Sequence, residues 1–194
     1  FVRIAPAEDV DHGQDVAIDD AAAAREMTEY LIGLGHRRIG FIKGADSHAQ
    51  AVRRFAGYRQ ALEEEGIPLD PDLVQSGDFA FDSGVSCAET LLSLAERPTA
   101  IFASNDDMAA GVLAAAYRGQ INVPKDLSVV GFDDTPLATT ISPSLTTIYQ
   151  PSRELAAEAV SMLLEESAPG GEAPRHKLLD YKLMLRESTA APQG

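Results

Sequence analysis

Residues 98–111, PTAIFASNDDMAAG, decide the fold. Thr99 to Ala103 is a short, almost uniformly apolar run, suited to a strand covered on both faces. Asn105 and Asp106 follow at once, and an Asx side chain there can accept hydrogen bonds from the free N–H groups of a helix running to Gly119. In an open parallel sheet the loops at the carboxyl ends of the strands diverge and leave a crevice, which is where ligands bind. Three more stretches repeat the pattern: IGFI before Gly44 to His48, LVQSG before Asp78 and Phe79, and LSVVGF before Asp133 and Asp134. Four strand ends therefore share one rim, and that rim is the candidate binding site.

Outward from this centre, strands alternate with helices of ten to fifteen residues or so, the signature of crossover connections and a parallel sheet. Asp19-Asp20 reads as the N-cap of a helix with Met27, Tyr30, Leu31 and Leu34 on one face and Gly35 as its stop. Arg38 to Lys43 is the next strand; Ala49 to Glu65 is a helix with an apolar stripe of Phe55, Tyr58, Ala61 and Leu62. A strand over Leu73 to Ser76 precedes a helix that starts at Asp82 or Ser83. Residues 19–132 thus read as a doubly wound α/β unit. Beyond Phe132 the periodicity is lost through Ser144; LTTIYQ is extended, and Ser152 caps a helix from Arg153 to Glu166. SAPGGEAP (167–174) reads as a flexible loop, and Leu179 to Leu185 alternates as one tail strand. At the other end Phe1 to Ile4 is a strand, followed by a polar connection over residues 5–14.

The chain has 194 residues, with 30 acidic against 16 basic side chains and a net charge of −14. Such a surface repels phosphate backbones, so this polypeptide is not expected to contact nucleic acid by itself. Cys87 is the single cysteine and cannot form an internal disulfide, which suits a reducing compartment. No window approaches the roughly 18 consecutive apolar residues of a membrane helix. FVRI is strand-like and lacks an initiator Met, so the numbering is expected to start inside a longer protein. No glycine-rich phosphate loop, HExxH or GxSxG pattern is present and the four histidines share no metal-like spacing; no catalytic residue, metal site or cofactor is expected.

Seven runs, TEYLIGLGHRRIGFI (28–42), RRFAGYRQALEEEGI (53–67), GDF (77–79), PTAIFASNDDMAAGVL (98–113), VPKDLSVVGFDD (123–134), SPSLTTIYQP (142–151) and LMLREST (183–189), occur in this order. Together they closely resemble the effector-binding domain of LacI/GalR-family bacterial transcription regulators. The resemblance implies a periplasmic-binding-protein-like α/β fold of two Rossmann-like lobes, each a doubly wound parallel sheet, with the effector in the cleft between them. Residues 1–18 would then be a partial N-terminal lobe, 19–148 a complete C-terminal lobe, 149–187 the return to the N-terminal lobe and 188–194 a tail. The helix-turn-helix head would be missing, so operator DNA would be reached only through that head.

The resemblance also assigns residues. Arg54 matches an arginine that reaches into the cleft, Phe79 an aromatic stacked on the ligand, Asn105 a polar contact with Asp106 beside it, Asp133 an acidic ligand residue and Gln150 a crossover position facing the cleft. His48, on the loop after the strand from Arg38, can reach the same place. Arg, Asn and Asp offer paired donors and acceptors that match vicinal hydroxyls, and an aromatic face takes the C–H face of a pyranose, so the expected effector is a sugar or sugar derivative. Where several family members carry Asp at the end of the first strand, this chain has Ala5 and Pro6, so the effector cannot be copied from them.

Family dimers pair through the helix here spanning Met108 to Arg118 and through the loop near Ile141, which nominates Ala109, Ala110, Val112, Leu113 and Ile141 for a homodimer interface. His36, Tyr30, Tyr58 and Met27 read as structural. The expected protein is a cytoplasmic allosteric regulator. The competing expectation, a periplasmic sugar-binding protein of a transporter, is disfavoured by LGHRRIGFI, VPKDLSVVGFDD and SPSLTTI.

Overall fold

Strands β1 (Val2–Ile4) and β2 (Gln14–Ala17) lead into helix α1 (Asp20–Gly33), then β3 (Ile39–Lys43), α2 (Ala49–Glu64), β4 (Val74–Ser76), α3 (Phe81–Leu92), β5 (Ala100–Ala103) and α4 (Asp106–Arg118). After β6 (Ser128–Val130) come α5 (Leu137–Thr140), β7 (Thr147–Tyr149), α6 (Ser152–Glu166), β8 (His176–Leu178) and β9 (Lys182–Met184). The structure, a computed structural model, describes residues 2–6, 14–166 and 176–193.

The middle of the molecule is a four-stranded sheet in the order β4-β3-β5-β6. All its pairings are parallel, with Phe41 opposite Phe102 and Phe102 opposite Val130. Both faces are covered, which is why the inner strands β3 and β5 and the β6 strand read as largely apolar runs, whereas the edge strand β4 is only half-buried. On one face α1 and α2 bring Met27, Leu31, Tyr58 and Leu62 against Phe41, Phe102 and Phe132. On the other, α3 and α4 bring Val85, Leu91, Met108 and Val112 against Ile42, Ile101 and Val129. Each large side chain so buried contributes about 2 kcal/mol from removal of apolar surface from water.

Local chemistry starts the helices as expected. Asp19 accepts from the Ala22 N–H at 2.9 Å, and Asn105 accepts from Met108 N–H at 3.0 Å. Glycines let paired helices touch. A β-carbon at Gly57 on α2 would lie 2.1 Å from the Ala21 carbonyl oxygen of α1, and one at Gly84 on α3 2.3 Å from the Met108 oxygen of α4.

A second parallel sheet has the order β1-β2-β8, and α6 packs on it through Leu155, Ala159 and Met162 around Val16. A third pairing, β7 with β9, is antiparallel and lies alongside β6, since Gly131 N–H donates to the Thr146 oxygen and Asp133 N–H to the Ile148 oxygen. The chain passes between the first two sheets at three places: from β2 into α1, from β7 into α6, and from β8 into β9. The tail after β9 closes under the large sheet. Buried Ser188 donates to the Val129 oxygen at 2.6 Å and accepts from Thr146 N–H at 2.8 Å.

Three expectations are corrected. The tail strand expected over 179–185 is two short strands, because β8 pairs with β2 whereas β9 pairs with β7, and the chain must change sheets between them. Residues 133–144 contain α5, a single turn begun at Pro136. The helix expected from Asp82 or Ser83 begins at Phe81, because Asp78 accepts from Ala80 N–H and the Ser83 hydroxyl accepts from Asp78 N–H, organising the turn before it. Most of the 5–14 connection, together with Phe1 and the 167–174 loop, lies outside the described residues.

Candidate functional site

The rim expected from sequence exists at the carboxyl ends of β3, β5 and β6, and Arg54 of α2 is its centre. Only 4% of this residue is exposed. Its guanidinium carbon sits 3.6 Å from the Phe132 ring centroid, a stacked cation–π contact. Nε donates to Asp20 at 2.8 Å; Nη1 donates to the Ser104 carbonyl oxygen at 2.6 Å and reaches Asp133 at 3.5 Å. A buried guanidinium needs such neutralisation, because an unpaired ion at this depth would cost several kcal/mol.

Asp133 follows the buried β6 and Phe132, so its carboxylate is pinned at the mouth of the core. Its backbone φ is +112°, an uncommon angle for a residue with a side chain and one that strained functional positions adopt. Gln150 Nε2 donates to the same oxygen, Oδ1, that faces Arg54. Burial pushes the Asp133 carboxyl up to about 6, against the pull of Arg54. Asp133, Gln150 and their neighbours Thr135, Tyr149 and Arg153 line an open cavity of about 570 Å³ at the start of α6.

Phe79 completes the rim from the β4 side. It is half-buried, has a φ of +70°, and lies edge-on to His48 with 5.6 Å between ring centroids. Asn105 donates through Nδ2 to the Phe79 carbonyl oxygen at 2.9 Å while its Oδ1 caps α4. Asn105 thus joins the rim by holding Phe79. His48 is exposed at the cleft edge.

Asp106 is placed differently. It has no exposed surface; Oδ2 accepts from Thr135 N–H at 2.7 Å and from the Thr135 hydroxyl at 3.1 Å, and Oδ1 accepts from the Thr147 hydroxyl at 2.6 Å. Burial raises its pKa, partly offset by these bonds. Both oxygens are engaged inside the protein, so Asp106 ties α4 to the segment carrying Asp133 and leaves no surface for a ligand.

Sequence reasoning missed four parts of the site: Asp20, Ser104, Phe132 and Gln50. Asp20 is 1% exposed and also approaches Arg53 Nε at 3.6 Å. The doubled Asp19-Asp20 carried the signal, since only one of the two can cap α1. Gln50, one turn before Arg54 on α2, donates to the Ala5 carbonyl oxygen, and Arg53 reaches the Pro6 oxygen at 3.4 Å. These bonds join the end of β1 to the first turns of α2 across the cleft.

The residues nominated for a homodimer interface differ in exposure. Ala109 and Val112 have no exposed surface and Ala110 is 8% exposed. Ala109 and Val112 are packed within the chain, where α4 lies closely on α3. Leu113 and Ile141 are half-buried, and the exposed apolar residue of α4 is Tyr117. His36, by contrast, is structural as expected: it bonds Thr99, Ser128 and the Ala190 carbonyl oxygen from a buried position.

Among the described residues no cluster of His, Cys, Asp and Glu could hold a metal ion, and no helix is long and apolar enough to cross a membrane. The family model described as "Periplasmic binding protein-like domain" matches residues 28–189. The HTH-type transcriptional repressor CytR of Escherichia coli (strain K12) is 40% identical over 176 residues, 91% of this chain and 52% of the repressor. The chain therefore spans about half the length of this relative. The solved structure of a transcriptional regulator CelR–cellobiose complex superposes with a TM-score of 0.92 at 34% identity, covering 96% of this chain and 58% of that one. A LacI family transcriptional regulator from Enterococcus faecium with bound ribose superposes with a TM-score of 0.90 at 26% identity, covering 100% of this chain and 71% of that one. The chain belongs to the periplasmic binding protein-like domain family, in the form carried by LacI-type transcriptional regulators.

Proposed function

We propose that this chain is the effector-sensing part of a cytoplasmic LacI-type transcriptional regulator, and that its effector is a sugar or sugar derivative held at the Arg54 rim. The observation that carries this is the cluster of Arg54, Asp133 and Gln150, from three different segments, with Phe79 held by Asn105 at a neighbouring strand end. Planar donors and acceptors beside an aromatic ring suit a ring of vicinal hydroxyls. The sugars in the two superposed regulators support the same reading.

The bonds from Gln50 and Arg53 to the end of β1 cross the cleft, so a ligand that favours one arrangement of its two sides shifts the population of that arrangement. In a full-length homodimer this change would alter the spacing of the DNA-binding heads and hence operator affinity. The transporter-component reading has less support, since the two superposed structures and the CytR relative are transcription regulators.

Thermal shift on the full-length protein with a panel of mono- and disaccharides, including cellobiose and ribose, tests the proposal. A ligand at 100 times its dissociation constant adds about 2.7 kcal/mol of stability. The expected result is a shift with one sugar, abolished by Asp133→Ala and Phe79→Ala, and an effect of that sugar on operator binding in a gel-shift assay. A shift untouched by both substitutions would place the effector elsewhere.

A further inference from the structure

Arg54 is an inviting cation for a phosphorylated or carboxylated sugar, yet its charge is already spent. Asp20 lies 2.8 Å from Nε and Asp133 3.5 Å from Nη1, so one guanidinium serves two carboxylates. Arg53 brings a second positive charge to Asp20 at 3.6 Å. Around this group the other charges are paired as well: Asp134 with Arg186 at 2.6 Å and Lys43 with Asp46 at 2.8 Å. Asp106, behind the rim, adds a buried acid, and Arg153 stands exposed at the outer edge, where water screens it.

The hydrogen-bonding positions left over point the same way. Asp133 uses Oδ1 for both Arg54 and Gln150, leaving Oδ2 as an acceptor without a protein partner among the described residues. Gln50 Oε1, on the same face of α2 one turn before Arg54, is a buried acceptor with no partner among the described residues. Arg54 Nη2 is the remaining donor of the guanidinium. Two acceptors and one donor call for a ligand rich in O–H groups that also offers an oxygen to Nη2. A phosphate or carboxylate offers acceptors only and would face Asp133 as a like charge.

We infer that the site selects an uncharged polyhydroxylated effector and rejects anionic sugars, and that Asp20 is the residue that sets this choice by neutralising Arg54. This inference rests on the effector reading above and extends it to the class of ligand.

The experiment uses the full-length protein and matched pairs that differ by one charged group: ribose with ribose 5-phosphate, cellobiose with cellobionate, galactose with galacturonate. Inorganic phosphate is titrated separately against the wild type and Asp20→Asn. This substitution keeps a side-chain oxygen for the Arg54 Nε–H and removes the charge. Binding of a neutral member at least about tenfold tighter than its charged partner is expected in the wild type, with phosphate stabilising Asp20→Asn and not the wild type. Equal or tighter binding of a charged member to the wild type would overturn the inference, and so would phosphate acting alike on both proteins or on neither. If no sugar binds but phosphate still separates the two proteins, the sugar-sensor reading fails while the role of Asp20 stands. The wild-type pair comparison needs no variant, so it decides the question even if Asp20→Asn does not fold.

Discussion

The ring of Phe79 fills the space that a side chain on Gly44 would need. A β-carbon at position 44 would lie 1.9 Å from Cζ of that ring and 2.3 Å from Cε2. Glycine at the end of β3 is therefore what makes room for the Phe79 ring at the rim, where Asn105 holds its backbone carbonyl and His48 lies roughly perpendicular to the ring.

Gly44→Ala should expel the ring. Overpacking of this kind costs about 1–3 kcal/mol, and the misplaced aromatic should lower effector affinity about tenfold. Urea denaturation and calorimetric titration measure the two effects. Phe79→Leu should lose comparable affinity with a smaller stability change, since the ring is half-buried.

Arg54 and Asp20 form a buried pair, and the two partners are not equivalent. Arg54→Met strands Asp20 without its nearest cation and should cost about 3–5 kcal/mol. Asp20→Asn retains the Nε–H acceptor and should cost less. In a double-mutant cycle read by urea denaturation, the protein carrying both Asp20→Asn and Arg54→Met should be more stable than the sum of the single effects by about 0.5–3 kcal/mol.

Asp106 separates a structural role from a ligand-binding one. Asp106→Ala leaves the Thr135 N–H and the Thr147 hydroxyl unpaired in the interior, at about 1–3 kcal/mol for each buried group. Asp106→Asn can turn its oxygen to Thr135 N–H and its amide to the Thr147 oxygen, and should keep most of the stability. Its effector affinity should stay within about threefold of the wild type. A large loss of affinity in a stable Asp106→Asn protein would give this carboxylate a direct part in binding.

Two groups should shape stability below neutral pH, with opposite signs. Burial lowers the His36 pKa from 6.5, so the unfolded chain takes up a proton first and stability falls as pH drops below 6.5. Asp133 is raised from 3.8 to about 6, so the folded chain takes up its proton first and this group adds stability as pH falls from 6 towards 3.8. Urea denaturation between pH 7.5 and 4.5 should show a shallower acid loss for His36→Gln and a steeper one for Asp133→Asn. Effector affinity should weaken below about pH 6, where the Asp133 carboxylate is lost as a hydrogen-bond acceptor.

The strands and helices were legible because nearly every one carries its own local signal, as Asn105 does in capping α4 and the uniformly apolar LSVVGF does in forming β6. The rim was legible for the same reason: Asp133, Phe79 and Asn105 each lie two or three residues past the end of a strand. Asp20 escaped because its partner lies 34 positions away and its local reading as a cap was plausible. Asp106 was misplaced because adjacency to Asn105 says nothing of depth; the helix turns it inward to Thr135 and Thr147. Of the small residues of α4 that suggested a partner surface, Ala109 and Val112 are packed in the core that α4 shares with α3 of the same chain.

The three passages between the two parallel sheets have a mechanical consequence. A single connecting strand would let one half swivel freely about it, and two would still permit a twist. Three, tied to one another by the Leu179 N–H bond to the Ala17 oxygen and by the β7–β9 ladder, act as a hinge with three pins. Such a joint should resist torsion more than a single strand would, so a change on one side of the rim is expected to reach the other chiefly as a bend.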